Sequence, residues 1–135
     1  MSTVSSTNSK TKQTVAKPQI GVSMSDVFVF GSNLAGRHGK GTALTARQHH
    51  GAIYGQGVGL QGSSYGIPTK SANLTVLPIH TIRYFVNQFI KFAVANPELK
   101  FNVTKIGCGL AGYTPAQIAP LFTKAIDVHN IILPW

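Results

Sequence analysis

The chain has 135 residues, 43% of them hydrophobic, which suits one sizeable core and argues against two domains. No apolar run reaches the roughly eighteen residues that span a bilayer, and the polar start lacks the apolar centre of a secretory signal, so a soluble, cytoplasmic protein is expected. Twelve Lys and Arg against three acids give a net charge of +9, which favours anionic partners such as nucleotides, nucleic acid or an acidic protein.

Residues 1–25 are rich in Ser, Thr, Lys and Gln, carry Lys10, Lys12 and Lys17, and read as a disordered basic tail. Residues 26–135 read as the domain. Val27, Phe28, Val29 and Phe30 form a β-prone run that stops at Gly31, as expected of a central strand covered on both faces. The stretch Gly31-Ser32-Asn33-Leu34-Ala35-Gly36-Arg37-His38-Gly39-Lys40-Gly41 reads as a loop, and residues 42–48 as a short helix. Residues 51–66 hold six glycines and read as an irregular loop before a short strand at 65–67. Tyr54 and Tyr65 leave two readings of that segment open, a glycine-rich connection or a flap over a ligand.

Pro78 opens an amphipathic helix with Ile79, Ile82, Val86, Phe89, Ile90 and Ala93 on one face, ended by Asn96-Pro97. Phe101, Val103 and Ile106 alternate with Asn102 and Lys105 in a strand that leads into Gly107-Cys108-Gly109-Leu110-Ala111-Gly112-Tyr113. Thr114 as cap, Pro115 at the first helical position and Gln117 in a capping box begin the next helix. Its apolar face is Ile118, Leu121, Phe122 and Ala125, and Pro120 is expected to disturb its turn. A last strand covers 131–133. Alternating strands and helices imply an α/β fold with a mainly parallel sheet, whose ligands bind beyond the carboxyl ends of the strands.

Both glycine loops lie at that edge. Three glycines within residues 107–112 leave backbone N–H groups open, and the capped helix after them adds its positive end, a combination that favours phosphate. A tight turn alone explains the same glycines. Gly39-Lys40-Gly41-Thr42 puts a glycine between the lysine and threonine of a Walker loop, and no Gly-x-Gly-x-x-Gly with a later acid appears, so ATP hydrolysis and nicotinamide chemistry are disfavoured. The carboxylates Asp26, Glu98 and Asp127 lie outside both loops, which disfavours a paired-carboxylate mechanism. The five histidines show no metal-site spacing, so neither a metal nor a cofactor is indicated. His38 has the chemistry of an acid or base near neutral pH, or of a ribose-positioning group. Lone Cys108 cannot form an internal disulfide; a minor reading makes it a nucleophile.

Asn33, then His38-Gly39-Lys40-Gly41-Thr42-Ala43-Leu44, resembles the first ligand loop of macrodomains, and Ile106-Gly107-Cys108-Gly109-Leu110-Ala111-Gly112-Tyr113 resembles the second. Phe30 to Gly39 is also similar to a signature of a compact phage and bacterial macrodomain-like group. The resemblance implies a compact three-layer α/β/α fold that binds ADP-ribose or a related nucleotide diphosphate. By that likeness Gly31, Ser32 and Asn33 help form the ligand site, and Asn33 contacts the distal ribose. His38, Gly39, Lys40 and Gly41 surround the sugar. Gly107, Cys108, Gly109, Leu110, Ala111 and Gly112 cradle the diphosphate, with Tyr113 flanking the ribose. Asn33 and His38 are then the catalytic candidates for hydrolysis of ADP-ribose 1″-phosphate or an ADP-ribosyl derivative. Lys40 replaces the family's middle glycine, and no acid is placed for the adenine amine. Two other readings stand beside this one: a non-catalytic module that binds or sequesters such nucleotides, and a basic nucleic-acid-binding protein.

Overall fold

A computed structural model describes residues 25–135, so the tail expected over 1–25 lies outside the described residues except for Ser25. In chain order the elements are β1 (Ser25–Asn33), α1 (Gly41–His49), β2 (Gly59–Gln61), β3 (Ser64–Lys70), α2 (Ile79–Ala95), β4 (Leu99–Val103), α3 (Pro115–Ile118), a 3-10 helix (Ala119–Ala125) and β5 (Ile131–Ile132). The five strands form one sheet in the order β2-β3-β1-β4-β5. All neighbours are parallel except β2 and β3. The expected α/β class with a mainly parallel sheet is therefore what the chain forms.

Side chains alternate across a strand, and β1 uses both faces for packing. Val27 and Val29 join the larger cluster with Ile67 of β3, Ile82, Val86 and Phe89 of α2, Phe101 of β4, and Ile118 and Phe122. Phe30, with Phe28 beside it, joins a smaller cluster built on Ala43 and Ala46 of α1 and on Ala52. The apolar face expected of α2 is the buried one: Ile82, Val86, Phe89, Ile90 and Ala93 are all inside. Asn96 caps that helix, as its Asn-Pro ending suggested.

Several boundaries differ from the sequence expectation. β4 covers Leu99–Val103 and does not reach Ile106, because Thr104 ties the chain to Val29 O and Ile106 N–H turns back to Thr104 O, and β5 ends at Ile132. β1 does not stop at Gly31 but runs to Asn33, because Gly31 and Ser32 continue the parallel pairing with Ile67 and Pro68 of β3. The segment 51–66 is not irregular throughout. Gln61-Gly62-Ser63-Ser64 turns a tight hairpin, so β2 forms and β3 starts three residues before Ile67. The helix after Thr114 is a single α-turn that continues as a 3-10 helix. Pro120 accounts for this, since its ring removes one donor and crowds the preceding turn. Its expected apolar face is nevertheless buried at Ile118, Leu121, Phe122 and Ala125.

Candidate functional site

The carboxyl edge of β1 and β4 is where the two glycine loops meet. Thr104 anchors the second loop, its Oγ1 donating to Val29 O at 2.7 Å as β4 ends. The chain then runs beside β1, so that a Cβ placed on Gly31 would lie 3.5 Å from Gly107 N and from Ile106 Cβ. A Cβ placed on Gly41, at the start of α1, would lie 3.7 Å from Leu110 Cδ1. The second loop thus packs on Gly31 at the edge of β1, at distances of ordinary van der Waals contact.

Residues 39–41 and 107–111 form one side of the edge. Gly39, Lys40, Gly41, Gly109, Leu110 and Gly112 are exposed, Cys108 and Ala111 half-buried, and Gly107 buried. Lys40 caps α1 without a side-chain hydrogen bond, and the first turn of α1 holds no acid. Its N–H groups and its positive end are thus open to an anion, while Arg47 and His49 complement the opposite end. In the second loop Gly112 and Tyr113 donate within the loop, to Gly109 O and Gly107 O. Among the described residues, the N–H groups of Gly109, Leu110 and Ala111 find no protein acceptor. The expected source of positive potential therefore shifts. It is α1 that supplies a helix end, because α3 is one turn long and Thr114 N–H is occupied by Gln117 Oε1 at 2.8 Å.

Ser32, Asn33 and His38 are brought together on a different side, beneath residues 53–58. Ser32 Oγ donates to Gly57 O. Asn33 closes the loop by itself: its Nδ2 donates to Arg37 O and its Oδ1 accepts from Arg37 N, both at 2.9 Å. The same chain segment presses on this loop so closely that only glycine fits at two points. A Cβ on Gly57 would lie 2.1 Å from Asn33 O, and one on Gly36, at φ +71°, would lie 2.3 Å from Gln56 N. The sequence left residues 53–58 open between a glycine-rich connection and a flap; their packing on Ser32, Asn33 and His38 is what it did not show.

His38 is fully buried, and neither Nδ1 nor Nε2 has a hydrogen-bond partner among the described residues. The ring lies edge-on to Phe30 at 5.4 Å and to Tyr54 at 6.2 Å, with Arg47 stacked over Tyr54 at 5.3 Å. Burial holds its pKa below the ordinary histidine value, the Gln56 backbone pulls upward and Arg47 pushes downward. His38 is thus a neutral ring in a closed aromatic box.

Other candidates take different places. Tyr113 Oη donates to Leu77 O at 2.6 Å, tying the second loop to the start of α2. Burial pushes the Cys108 thiol up, against a smaller downward pull from Lys105, which is the opposite of an activated nucleophile. Tyr65 cannot belong to a flap: it is a core residue of β3, its hydroxyl pushed up to about 12 by burial. Exposed Tyr54 keeps its place in the covering segment.

Charge is divided between the two edges of the sheet. Arg37, Lys40, Lys70 and Lys105 follow the carboxyl ends of β1, β3 and β4. Asp26 opens β1, Glu98 directly precedes β4 and Asp127 precedes β5, so all three carboxylates lie toward the opposite edge. Among the described residues no group of His, Cys, Asp and Glu can hold a metal ion, and no helix is long and apolar enough to cross a membrane. Comparison of the chain with protein-family models, with curated proteins and with solved structures finds no match.

Proposed function

We propose that this chain binds ADP-ribose or a related nucleotide diphosphate at the carboxyl edge of β1 and β4, in a three-layer macrodomain-like arrangement. The observation that carries the reading is the convergence of open N–H groups at Gly109, Leu110 and Ala111 with the uncapped start of α1, at an edge with four bases and no carboxylate. Backbone donors and a helix end suit a phosphate, and a diphosphate spans two such sources. Lys40 adds an exposed cation beside them. The absence of an acid at this edge favours recognition through phosphate and ribose over recognition of the adenine amine.

Hydrolysis of ADP-ribose 1″-phosphate at Asn33 and His38 belongs to the same proposal. The favourable observation is the pair of unpartnered ring nitrogens on His38, one able to donate and the other to accept a proton. Substrate reaches that ring only when residues 53–58 lift from it. Calorimetric titration with ADP-ribose, ADP-ribose 1″-phosphate and a generic oligonucleotide tests binding, and phosphate release tests turnover. Both ADP-ribose compounds should bind; failure of each would overturn the proposal. His38→Ala should abolish phosphate release while leaving ADP-ribose binding, and unchanged release would remove His38 from the reaction.

A further inference from the structure

A second, open groove of about 530 Å³ lies between α2 and the strands β2 and β3, and it shares Val58 with the segment 53–58. Its walls include Tyr84, Phe85, Lys91 and Phe92 from α2, with Val58 and Tyr65 across from them. Tyr84 stands 58% exposed, its ring edge-on to Phe85 at 5.2 Å. That contact holds an aromatic face at the surface without covering it.

The helix around this ring carries two cations on its outer side. Arg83, Tyr84 and Lys91 are exposed, Lys91 lining the groove and Arg83 lying beside it, and α2 contains no Asp or Glu from end to end. Tyr84 and Lys91 are two helical turns apart on one face, about 10 Å along the axis at 1.5 Å per residue. An exposed aromatic face beside a cation, on a helix without carboxylates, offers both a stacking surface and a phosphate contact. A flexible polyanion with planar bases uses both.

We infer that this groove is a single-stranded nucleic-acid contact, in which a base stacks on Tyr84 and the flanking phosphates lie against Arg83 and Lys91. Stacking on an exposed ring is tolerant of sequence, because every base has a π face. The phosphate contacts make the interaction salt-dependent. Apart from Val58, the walls of the groove are not residues of the site proposed for ADP-ribose.

Fluorescence anisotropy of a labelled oligothymidylate of about 15 nucleotides tests this directly. Tyr84→Ala should weaken binding roughly tenfold, whereas Tyr84→Phe, which keeps the ring, should bind as the parent does. Lys91→Gln should make the slope of log affinity against log salt shallower by about 0.7. ADP-ribose affinity should be the same in all three variants, and saturating ADP-ribose should leave the oligonucleotide bound. Any of three results overturns the inference: parent-like oligonucleotide binding by both Tyr84→Ala and Lys91→Gln, displacement by ADP-ribose, or light scattering in which Tyr84→Ala abolishes self-association of the chain while leaving oligonucleotide affinity unaltered. Both substituted side chains are exposed, and an unchanged melting temperature verifies that the variants fold.

Discussion

His38 illustrates how a side chain chosen for its chemistry can be held by its surroundings. Its ring is closed in by Phe30 from β1, Tyr54 and the Gln56 backbone from the covering segment, and Arg47 from α1. The Gln56 backbone alone favours an imidazolium, and burial, with Arg47, outweighs it. The native pKa is lowered, so below the ordinary value of 6.5 the unfolded chain binds a proton that the native chain does not. The sign follows: the contribution is fully present above about pH 6.5 and is lost as pH falls toward the native pKa. Thermal melting followed from about pH 7.5 to 5.5 should show a falling midpoint, and His38→Phe should flatten part of that fall. At the upper pH the same variant should cost little or stabilise, because it removes two buried polar atoms without partners from an aromatic box. Equal pH slopes in parent and variant would show that His38 is not buried neutral. Asn33 makes a complementary point. The amide that suggested a ribose contact spends both ends on the Arg37 backbone, so its first task is to shape the loop that carries His38.

Among the elements, α2 binds the fold together. Phe89 meets Tyr65 of β3 at 5.1 Å, Phe101 of β4 at 5.3 Å and Phe122 of the 3-10 helix at 6.5 Å. Phe89→Ala empties the point where these elements converge and should cost about 3–5 kcal/mol, measured by urea denaturation. A loss near 1 kcal/mol would mean that the surrounding rings collapse into the space. The helical spacing of Ile82, Val86, Phe89, Ile90 and Ala93 made α2 legible in the chain, because burial on one face of a helix leaves a period behind. The capping residues Thr114, Pro115 and Gln117 were legible for the same kind of local reason. The hairpin was not read, although Gly62-Ser63 is a turn pair, because the glycines around it masked two short strands. The extension of β1 through Gly31 and Ser32 depends on a partner strand more than thirty residues away, which no local pattern records. In the site, the meeting of two glycine loops could be foreseen from their place after parallel strands. The cover over Ser32, Asn33 and His38 was legible only as one of two readings of the segment around Tyr54, since it rests on backbone contacts between 32–36 and 55–57. Asn130 belongs with these long-range features: its Nδ2 reaches Ala93 O, Asn96 O and Leu99 O, joining the end of α2 to the start of β4.

Across the whole molecule, net charge and charge placement make different statements. A value of +9 attracts any polyanion, but an edge with Arg37, Lys40, Lys70 and Lys105, set against an edge that holds every carboxylate, directs a small anion to one place. The two effects separate experimentally. Lys40→Glu and Lys100→Glu change net charge equally, yet Lys40 caps α1 at the carboxyl edge while Lys100 lies near the start of β4 at the other. Lys40→Glu places a carboxylate beside the open α1 donors, where it competes with phosphate, and should weaken ADP-ribose binding at least tenfold, since a hydrogen bond to a charged group is worth about 1.5–3 kcal/mol. Lys100→Glu should change that affinity by less than about twofold at physiological salt, because a charge more than a Debye length of roughly 8 Å away is largely screened. Calorimetry of both variants at two salt concentrations gives the comparison. Equal losses, shrinking together as salt rises, would assign the attraction to overall charge and leave the glycine-loop edge without a special role.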